Sequence, residues 1–226
     1  GFLEAIEVPA ITNNASYLLL GILAVLASSH LAVALVNWLA TLLVTPHPLP
    51  RMDFGAGIPA EFRALAVVPT MLSSAQNIED LAEALEVRYL ANQDQNLHFG
   101  LLSDWRDAPA ETLAEDAPLL LLARAKIEQL NRKYAGAGSD RFFLFHRPRC
   151  WNPQERLWMG YERKRGKLAD LNALLRGGAN DRFSLLVGET GVLQGVKYVI
   201  TLDTDTQLPR NAARQFVGAM AHPLNR

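Results

Sequence analysis

The stretch Lys197-Tyr198-Val199-Ile200-Thr201-Leu202-Asp203-Thr204-Asp205 decides how this chain folds, because an apolar run ends there in two aspartates one residue apart. The β-branched and aromatic residues of the run are typical of a buried strand. Two carboxylates at the end of a buried strand repel each other and lose hydration, which costs several kcal/mol unless a cation joins them. In open α/β sheets, ligands bind beyond the carboxyl ends of the strands. The stretch therefore predicts an α/β fold with a ligand site at this strand end.

Asp203 and Asp205 are candidate metal ligands. Their carboxylates are hard oxygen donors, which suit Mg²⁺ or Mn²⁺. Such ions in turn hold phosphate oxygens, so the pair predicts a metal-bound phosphorylated substrate. The alternative is a turn after the strand, in which the two carboxylates cap the next segment.

Composition and charge divide the chain into two parts. The chain has 226 residues and a formal net charge of −1, so nothing in its overall charge indicates a nucleic-acid partner. Cys150 is its single cysteine, which excludes a disulfide framework, and we expect this thiol to be buried and inert. Residues 16–45 contain no Asp, Glu, Lys or Arg, and this stretch is longer than the ~20 residues that a helix needs to cross a bilayer.

The uncharged stretch predicts a transmembrane helix over residues 16–45, after an N-terminal flank of residues 1–15. The alternative is a buried hairpin of two short helices. The flank has no Lys or Arg, whereas Arg51 and Arg63 follow the stretch, so the positive-inside rule places the C-terminal part in the cytosol. Residues 46–62 are rich in proline and predict a stiff linker, which leaves residues 63–226 for a soluble domain.

Strand and helix patterns alternate through the soluble domain, which favours a mainly parallel sheet. Strands are predicted at residues 64–68, 97–102, 141–145 and 196–202, the first stopped by Pro69 and the third either central or at an edge. Helices are predicted after a cap at Ser73 or Ser74, over 116–134 and over 164–176, the last ended by Gly177-Gly178. We expect three strand ends to lie along one edge of the sheet: Pro69-Thr70, Ser103-Asp104 and Asp203-Thr204-Asp205.

Two further groups are candidates for contact with a nucleotide. The carboxylate of Asp104 can accept hydrogen bonds from a base or a ribose, although a turn aspartate is the alternative. The basic block Tyr161 to Asn172 precedes a helix, and cations there would neutralise the charge on a departing pyrophosphate; the alternative is a solvated basic face. Because the apolar positions of the helix are occupied by leucines, we expect the side chain of Lys167 to stay outside the core.

The segment Phe142 to Trp158 is aromatic and basic, and its role is open. Trp151 and Trp158 either stack on sugar faces or belong to a core or an interface. His146 is expected to be structural.

Two motifs together carry a resemblance to a known family. Gly166-Lys167-Leu168-Ala169-Asp170-Leu171-Asn172, followed by a strand that ends Leu202-Asp203-Thr204-Asp205, is similar to the G-K-x-x-x-L-N and D-x-D pair of inverting, processive glycosyltransferases with the GT-A fold. From about Leu31 onwards the chain resembles the bacterial cyclic β-1,2-glucan synthases, chiefly in four blocks: residues 35–43, 67–72, 161–175 and 198–226.

The resemblance implies UDP-glucose as the donor, a growing β-1,2-glucan as the acceptor, Mg²⁺ or Mn²⁺ as the cofactor, and an inner-membrane enzyme with a cytosolic catalytic part. By position it implies that the donor contacts Pro69, Thr70, Asp104, Lys167 and Asp203, and that the metal is held by Asp203 and Asp205. Neither an acidic catalytic base nor a Q-x-x-R-W motif follows these residues. We therefore expect the base beyond Arg226, in the remaining domains of a longer polypeptide, and expect this segment alone to be inactive.

Two other functions fit the same residues. One is a sugar transferase of the same fold that acts on a lipid carrier. The other is a non-catalytic membrane scaffold, for which no metal-dependent nucleotide binding is expected.

Overall fold

The computed structural model describes residues 14–135 and 139–225 and divides the chain into two compact units, Gly1–Pro48 and Leu49–Arg226. The described residues of the first unit form one helix, α1 (Asn14–Leu43), whose mean hydropathy reaches 2.3. The helix runs unbroken through Ser28 and Ser29, whose hydroxyls donate to carbonyls in the preceding turn, so the alternative of a hairpin was wrong. By length and composition the helix is able to cross a membrane, and most of the predicted flank 1–15 lies outside the described residues.

The second unit is an α/β domain with a mainly parallel sheet, as predicted. Its helices are α2 (Ala75–Ala91), α3 (Asp116–Lys133), α4 (Arg163–Leu175) and α5 (Ala212–Ala221). Its strands are β1 (Ala64–Leu72), β2 (Leu97–Trp105), β3 (Phe142–His146), β4 (Cys150–Asn152), β5 (Leu157–Met159), β6 (Leu185–Val187) and β7 (Tyr198–Thr201). Five strands form one sheet in the order β6-β3-β2-β1-β7, in which only β6 is antiparallel, and β4 pairs with β5 in a separate hairpin.

The side chains of β3 are buried on both faces of the sheet. Phe142 and Leu144 pack on one face with residues of α2, α3 and α5, whereas Phe143 and Phe145 pack on the other with Leu171 of α4. Successive side chains of a strand point to opposite faces. A strand buried on both faces is therefore apolar throughout, as this one is.

The expected strand ends do lie together at one edge of the sheet. Thr70 of β1 is opposite Ser103 of β2, and Met71 is opposite Asp104. On the other side of β1, Leu202 donates its backbone N–H to the carbonyl of Val67, so Asp203 leaves β7 beside the same end of β1. This edge carries the candidate site.

Pro69 does not stop β1, which continues to Leu72, in contrast to the prediction. Residues two apart on a strand point their backbone groups to the same side. The carbonyl of Val67 faces β7, so Pro69 also faces that side, beyond the point where β7 has ended. The N–H that proline lacks would have had no ladder partner there, which is where a strand tolerates proline.

β7 differs from the prediction in its burial. The run was expected to be a buried strand, but β7 lies at the edge of the sheet, and Val199 and Thr201 are exposed while Tyr198 and Ile200 pack on the core. Only one face of β7 is covered in this chain, because α5 packs on that face and no described element packs on the other. An apolar run cannot by itself reveal which of its residues are covered.

The helix ends follow their predicted signals. The side chain of Ser74 accepts a hydrogen bond from the N–H of Asn77 and caps α2. After α4, Gly177 has a φ of +83°, and the N–H groups of Gly177 and Gly178 donate to the carbonyls of Leu174 and Ala173. This pair of bonds is a Schellman motif, which requires the left-handed residue that glycine provides.

Part of the predicted linker belongs to the α/β domain. Phe54 and Ile58 are buried in its core, and the N–H of Met52 donates to the carbonyl of Gly218 on α5. The domain therefore begins near Leu49 rather than near Arg63. Cys150, which was expected to be buried, is exposed.

Candidate functional site

A cleft opens where the carboxyl ends of β1 and β2 meet the N-terminus of α4. Its volume is about 840 Å³. Pro69 and Thr70 line it from β1, Lys164 and Lys167 line it from α4, and Thr204 lines it from the segment after β7. The cavity is thus lined by three of the predicted donor residues, Pro69, Thr70 and Lys167, and by Thr204 of the D-x-D segment. Asp104 is buried beneath it, and Asp203 and Asp205 are exposed on either side of Thr204 without lining it.

The turn that carries Asp203 and Asp205 is held from below by Arg88, at the end of α2. Arg88 is 3% exposed and donates to the carbonyls of Thr204 and Thr206, each at 2.8 Å from Nη2. The N–H of Thr206 donates back to the carbonyl of Asp203. A buried, charged donor bound to several carbonyls fixes the turn, so both aspartates project from a rigid backbone.

The carboxylates of this turn lie on the surface, and one of them is paired with a lysine. Asp203 and Asp205 are both exposed, and the Nζ of Lys164 lies 2.5 Å from Oδ1 of Asp203. The side chains of this ion pair are 50% and 61% exposed, and such pairs contribute about 0–1 kcal/mol. A divalent cation would therefore displace Lys164 from Asp203 at little cost.

The described residues include no group of three or more His, Cys, Asp or Glu able to hold a metal. A metal at Asp203 and Asp205 would thus have two protein carboxylates and would take its other oxygen ligands from phosphate and water. This is how Mg²⁺ is commonly bound together with substrate phosphates, so the donor set fits such an ion.

Lys167 is buried, in contrast to our expectation that it stays outside the core. Its side chain is 5% exposed, and its Nζ donates to Oδ1 of Asp104 at 2.8 Å and to the carbonyl of Thr70 at 2.5 Å. Burial lowers the pKa of Lys167, while the nearby Asp104 carboxylate acts in the opposite direction. The leucine pattern of α4 did not reveal this burial, because the lysine enters the sheet edge and not the apolar stripe.

Asp104 is enclosed by two cations. It is 1% exposed, and Arg147 lies 3.4 Å from Oδ2, opposite the contact with Lys167. Arg147 also donates to Asp170 of α4 at 2.6 Å and to the carbonyl of Tyr161 at 2.8 Å. The network ties the start of α4 to the end of β2 and sets the position of the basic block beside the cleft.

Two glycines allow this close approach. A Cβ on Gly160 would lie 2.2 Å from Oδ2 of Asp104, and a Cβ on Gly166 would lie 2.2 Å from the carbonyl of Tyr161. Both distances are far below a van der Waals contact, and the first obstacle is a buried carboxylate. Gly166, the glycine of the G-K motif, thus allows the start of α4 to pack closely against the carbonyl of Tyr161, which belongs to the hydrogen-bond network of Arg147.

The N-terminus of α4 is strongly cationic. Arg163, Lys164 and Arg165 lie in its first turn, which contains no acidic residue, and Lys167 follows in the next turn. Cations at the positive end of a helix dipole are unfavourable without an anion. Glu162 and Arg163, which begin the helix, also have positive φ values of 48° and 49°, where most side chains are strained. Charge and backbone together suit this helix start to a phosphate.

His146 lies at the carboxyl end of β3, behind the network. Its Nδ1 is 2.9 Å from the hydroxyl of Ser103, and its ring packs edge-on against Trp105. Burial lowers the pKa of His146 to about 3, so the ring is neutral at neutral pH. The structural role expected from the sequence agrees with this environment.

Sequence reasoning missed Arg88 and Arg147. A signal for the first was present, since Ile78, Leu81, Leu85 and Arg88 share one helical face and the apolar pattern ends in a cation. Arg147 follows β3 directly, as Asp104 lies at the end of β2. A single basic residue after a strand is too common to identify a buried ion pair.

These features define an α/β domain that presents an acidic turn and a cationic helix start to a common cleft, an arrangement suited to a metal-bound phosphate. No family model matches the chain. Over 225 of its 226 residues, the chain is 41% identical to the cyclic beta-(1,2)-glucan synthase NdvB of Rhizobium meliloti (strain 1021). The match spans 8% of the length of that synthase. The resemblance inferred from the two motifs is therefore confirmed, and the chain is similar to a segment of such an enzyme.

Proposed function

We propose that this chain is the donor-binding segment of a membrane-bound glucosyltransferase with a GT-A fold, which transfers glucose from UDP-glucose to a growing β-1,2-glucan with inversion. The observation that carries the proposal is the braced turn Asp203-Thr204-Asp205 beside the cationic start of α4. A glucan synthase that is similar along the whole chain supports the choice of reaction. The anchor is α1, and the α/β domain is on the cytosolic side, where nucleotide sugars are made.

Two parts of the donor, the diphosphate and the uridine, are bound in this cleft. The diphosphate lies between the turn and the helix start, where Lys164 and Arg163 face the cleft and Asp203 and Asp205 hold Mg²⁺ or Mn²⁺. The metal would neutralise the charge that develops on the departing UDP. The uridine lies on Pro69 and Thr70, which line the same cavity.

Asp104 and Lys167 act on the donor through the shape of this cavity. Asp104 is buried beneath Lys167, so the carboxylate positions the lysine rather than touching the base in the arrangement described. Lys167 lines the cleft, so on donor binding its Nζ would turn from the carbonyl of Thr70 toward a ligand oxygen. The catalytic base and the acceptor site belong to other parts of the synthase.

The test is calorimetric titration of the 226-residue chain in detergent with UDP, with Mn²⁺ and with EDTA. We expect binding with Mn²⁺ and at least roughly tenfold weaker binding in EDTA, or in Asp205→Asn with Mn²⁺, because one anionic ligand is lost. Asp181→Asn, at another exposed aspartate, is the matched control and should bind UDP normally. Equal UDP affinity in EDTA would refute the metal role, and no UDP binding at all would favour the scaffold.

A further inference from the structure

The hairpin β4–β5 and the residues that follow it enclose a second cavity, separate from the donor cleft. Its volume is about 470 Å³. The residues that matter for its chemistry are Cys150, Trp151, Asn152, Met159, Tyr161 and Arg163. The mechanism proposed above uses none of them except Arg163.

The cavity exposes two large aromatic side chains. Trp151 is 48% exposed and Tyr161 is 61% exposed. Trp151 is supported by Trp158, which lies opposite in the hairpin with ring centroids 5.8 Å apart. Aromatic rings that are held in place and left in water mark binding surfaces more often than single exposed aliphatic residues do.

The polar groups around these rings suit a neutral, hydroxyl-rich ligand. Asn152, Gln154, Glu155 and Glu162 line the same cavity and provide both donors and acceptors for hydroxyl groups. Arg163 is the only cation that lines it among the described residues, and this arginine is already paired with Asp107. This one cation shares the lining with two carboxylates, Glu155 and Glu162, which disfavour a phosphate or a nucleotide, whereas a sugar ring offers an apolar face to the aromatics and hydroxyls to the amides and carboxylates.

The two cavities adjoin at Arg163, which lines both. The hairpin is joined to the segment after β2 by the backbone pairing of Trp158 with Ala108, and Arg163 at the start of α4 forms an ion pair with Asp107 of the same segment. A polymer whose end reaches the sugar of the donor would therefore extend over the hairpin.

We infer that the cavity at the hairpin is a subsite for the glucose-polymer acceptor, in which Trp151 and Tyr161 stack on glucose rings. The inference rests on the proposed function, since that function makes a glucan the second substrate. It adds an acceptor contact on the donor-binding segment itself.

Cys150 provides a direct readout, because it is exposed, lines the cavity and is the single cysteine of the chain. The rate of maleimide labelling of the 226-residue chain in detergent is measured with a linear β-1,2-linked glucose oligosaccharide, with mannitol as a polyol that has no ring face, and with UDP and Mn²⁺. We expect the oligosaccharide to slow labelling severalfold, and mannitol and UDP to leave the rate unchanged. Titration of this rate gives the affinity for the oligosaccharide.

Substitutions of aromatic residues then test whether the protection of Cys150 depends on stacking in this cavity or on an exposed aromatic residue anywhere on the surface. Trp151→Ala should weaken protection roughly tenfold, because one stacking face is lost, whereas Trp151→Phe should retain most of it. Phe216→Ala, at an aromatic residue of α5 that is 49% exposed, is the matched control and should protect normally. Absence of protection while UDP binds with Mn²⁺ would overturn the acceptor subsite and leave the proposed function standing. Protection that survives Trp151→Ala and Tyr161→Ala would also overturn it, and protection without any UDP binding would instead refute the proposed function.

Discussion

Replacing Lys167 tests whether the buried ion pair under the cleft holds the domain together. Lys167→Ala would leave the carboxylate of Asp104, 1% exposed, with Arg147 alone at 3.4 Å, and would leave the carbonyl of Thr70 without its donor. Breaking a buried pair by removing one partner costs about 3–5 kcal/mol. The remaining arginine places the expected loss near 3 kcal/mol.

The assay is thermal unfolding of the 226-residue chain in detergent. For a domain of this size each kcal/mol shifts the melting temperature by about 2–4 °C, so Lys167→Ala should lower it by about 6–12 °C. Lys133→Ala is the control, because Lys133 pairs with Glu86 at 2.7 Å on the surface and should cost less than about 1 kcal/mol. The double variant Lys167→Met with Asp104→Leu should recover much of the loss, since an apolar pair needs no partner charge. A melting temperature for Lys167→Ala equal to that of Lys133→Ala would refute the reasoning.

Three further predictions concern the cation site, the glycine contact and pH. Lys164→Gln should raise the affinity for Mn²⁺ alone severalfold in calorimetry, because it removes the cation that contacts Asp203; unchanged affinity would show that Lys164 does not compete. Gly160→Ala should destabilise the chain in urea and weaken UDP binding because its Cβ would meet a buried carboxylate, whereas Gly191→Ala, which meets nothing within 4 Å, should do neither. The pKa of His146 is about 3 in the folded chain and 6.5 in the unfolded chain, so unfolding takes up a proton between these pH values. The free energy of unfolding therefore decreases by about 1.4 kcal/mol for each unit by which the pH is lowered below 6.5. His146→Gln should therefore reduce the difference in unfolding free energy between pH 7 and pH 5 by about 2 kcal/mol, and an unreduced difference would assign it to other groups.

The alternation of strands and helices was predictable because the hydrophobic periodicity of a long segment indicates its secondary structure. The boundaries of α3 and α4 were close to those predicted, and the cap at Ser74 and the stop at Gly177 follow local rules that need no tertiary information. The short strand β6 and the hairpin β4–β5 were missed, because three residues are too few to show a period.

The candidate site was predictable in its location but not in its contacts. The strand register brought Thr70, Asp104 and the turn at Asp203 to one edge, as parallel topology requires. The burial of Lys167 and the bracing by Arg88 depend on side chains that meet over long separations in sequence. Local sequence patterns do not predict contacts between residues that are far apart in the chain. The sequence therefore identified residues of the candidate site but not which of them are exposed to the cleft.

The open edge of β7 has a consequence for how the chain behaves at high concentration. An edge strand offers unpaired backbone groups to any other strand, and such edges template association unless they are short or charged. β7 has only four residues, and Lys197 and Asp203 flank it with opposite charges. We expect those two residues to oppose strand-to-strand aggregation, which would give the proposed metal ligand Asp203 a colloidal role as well.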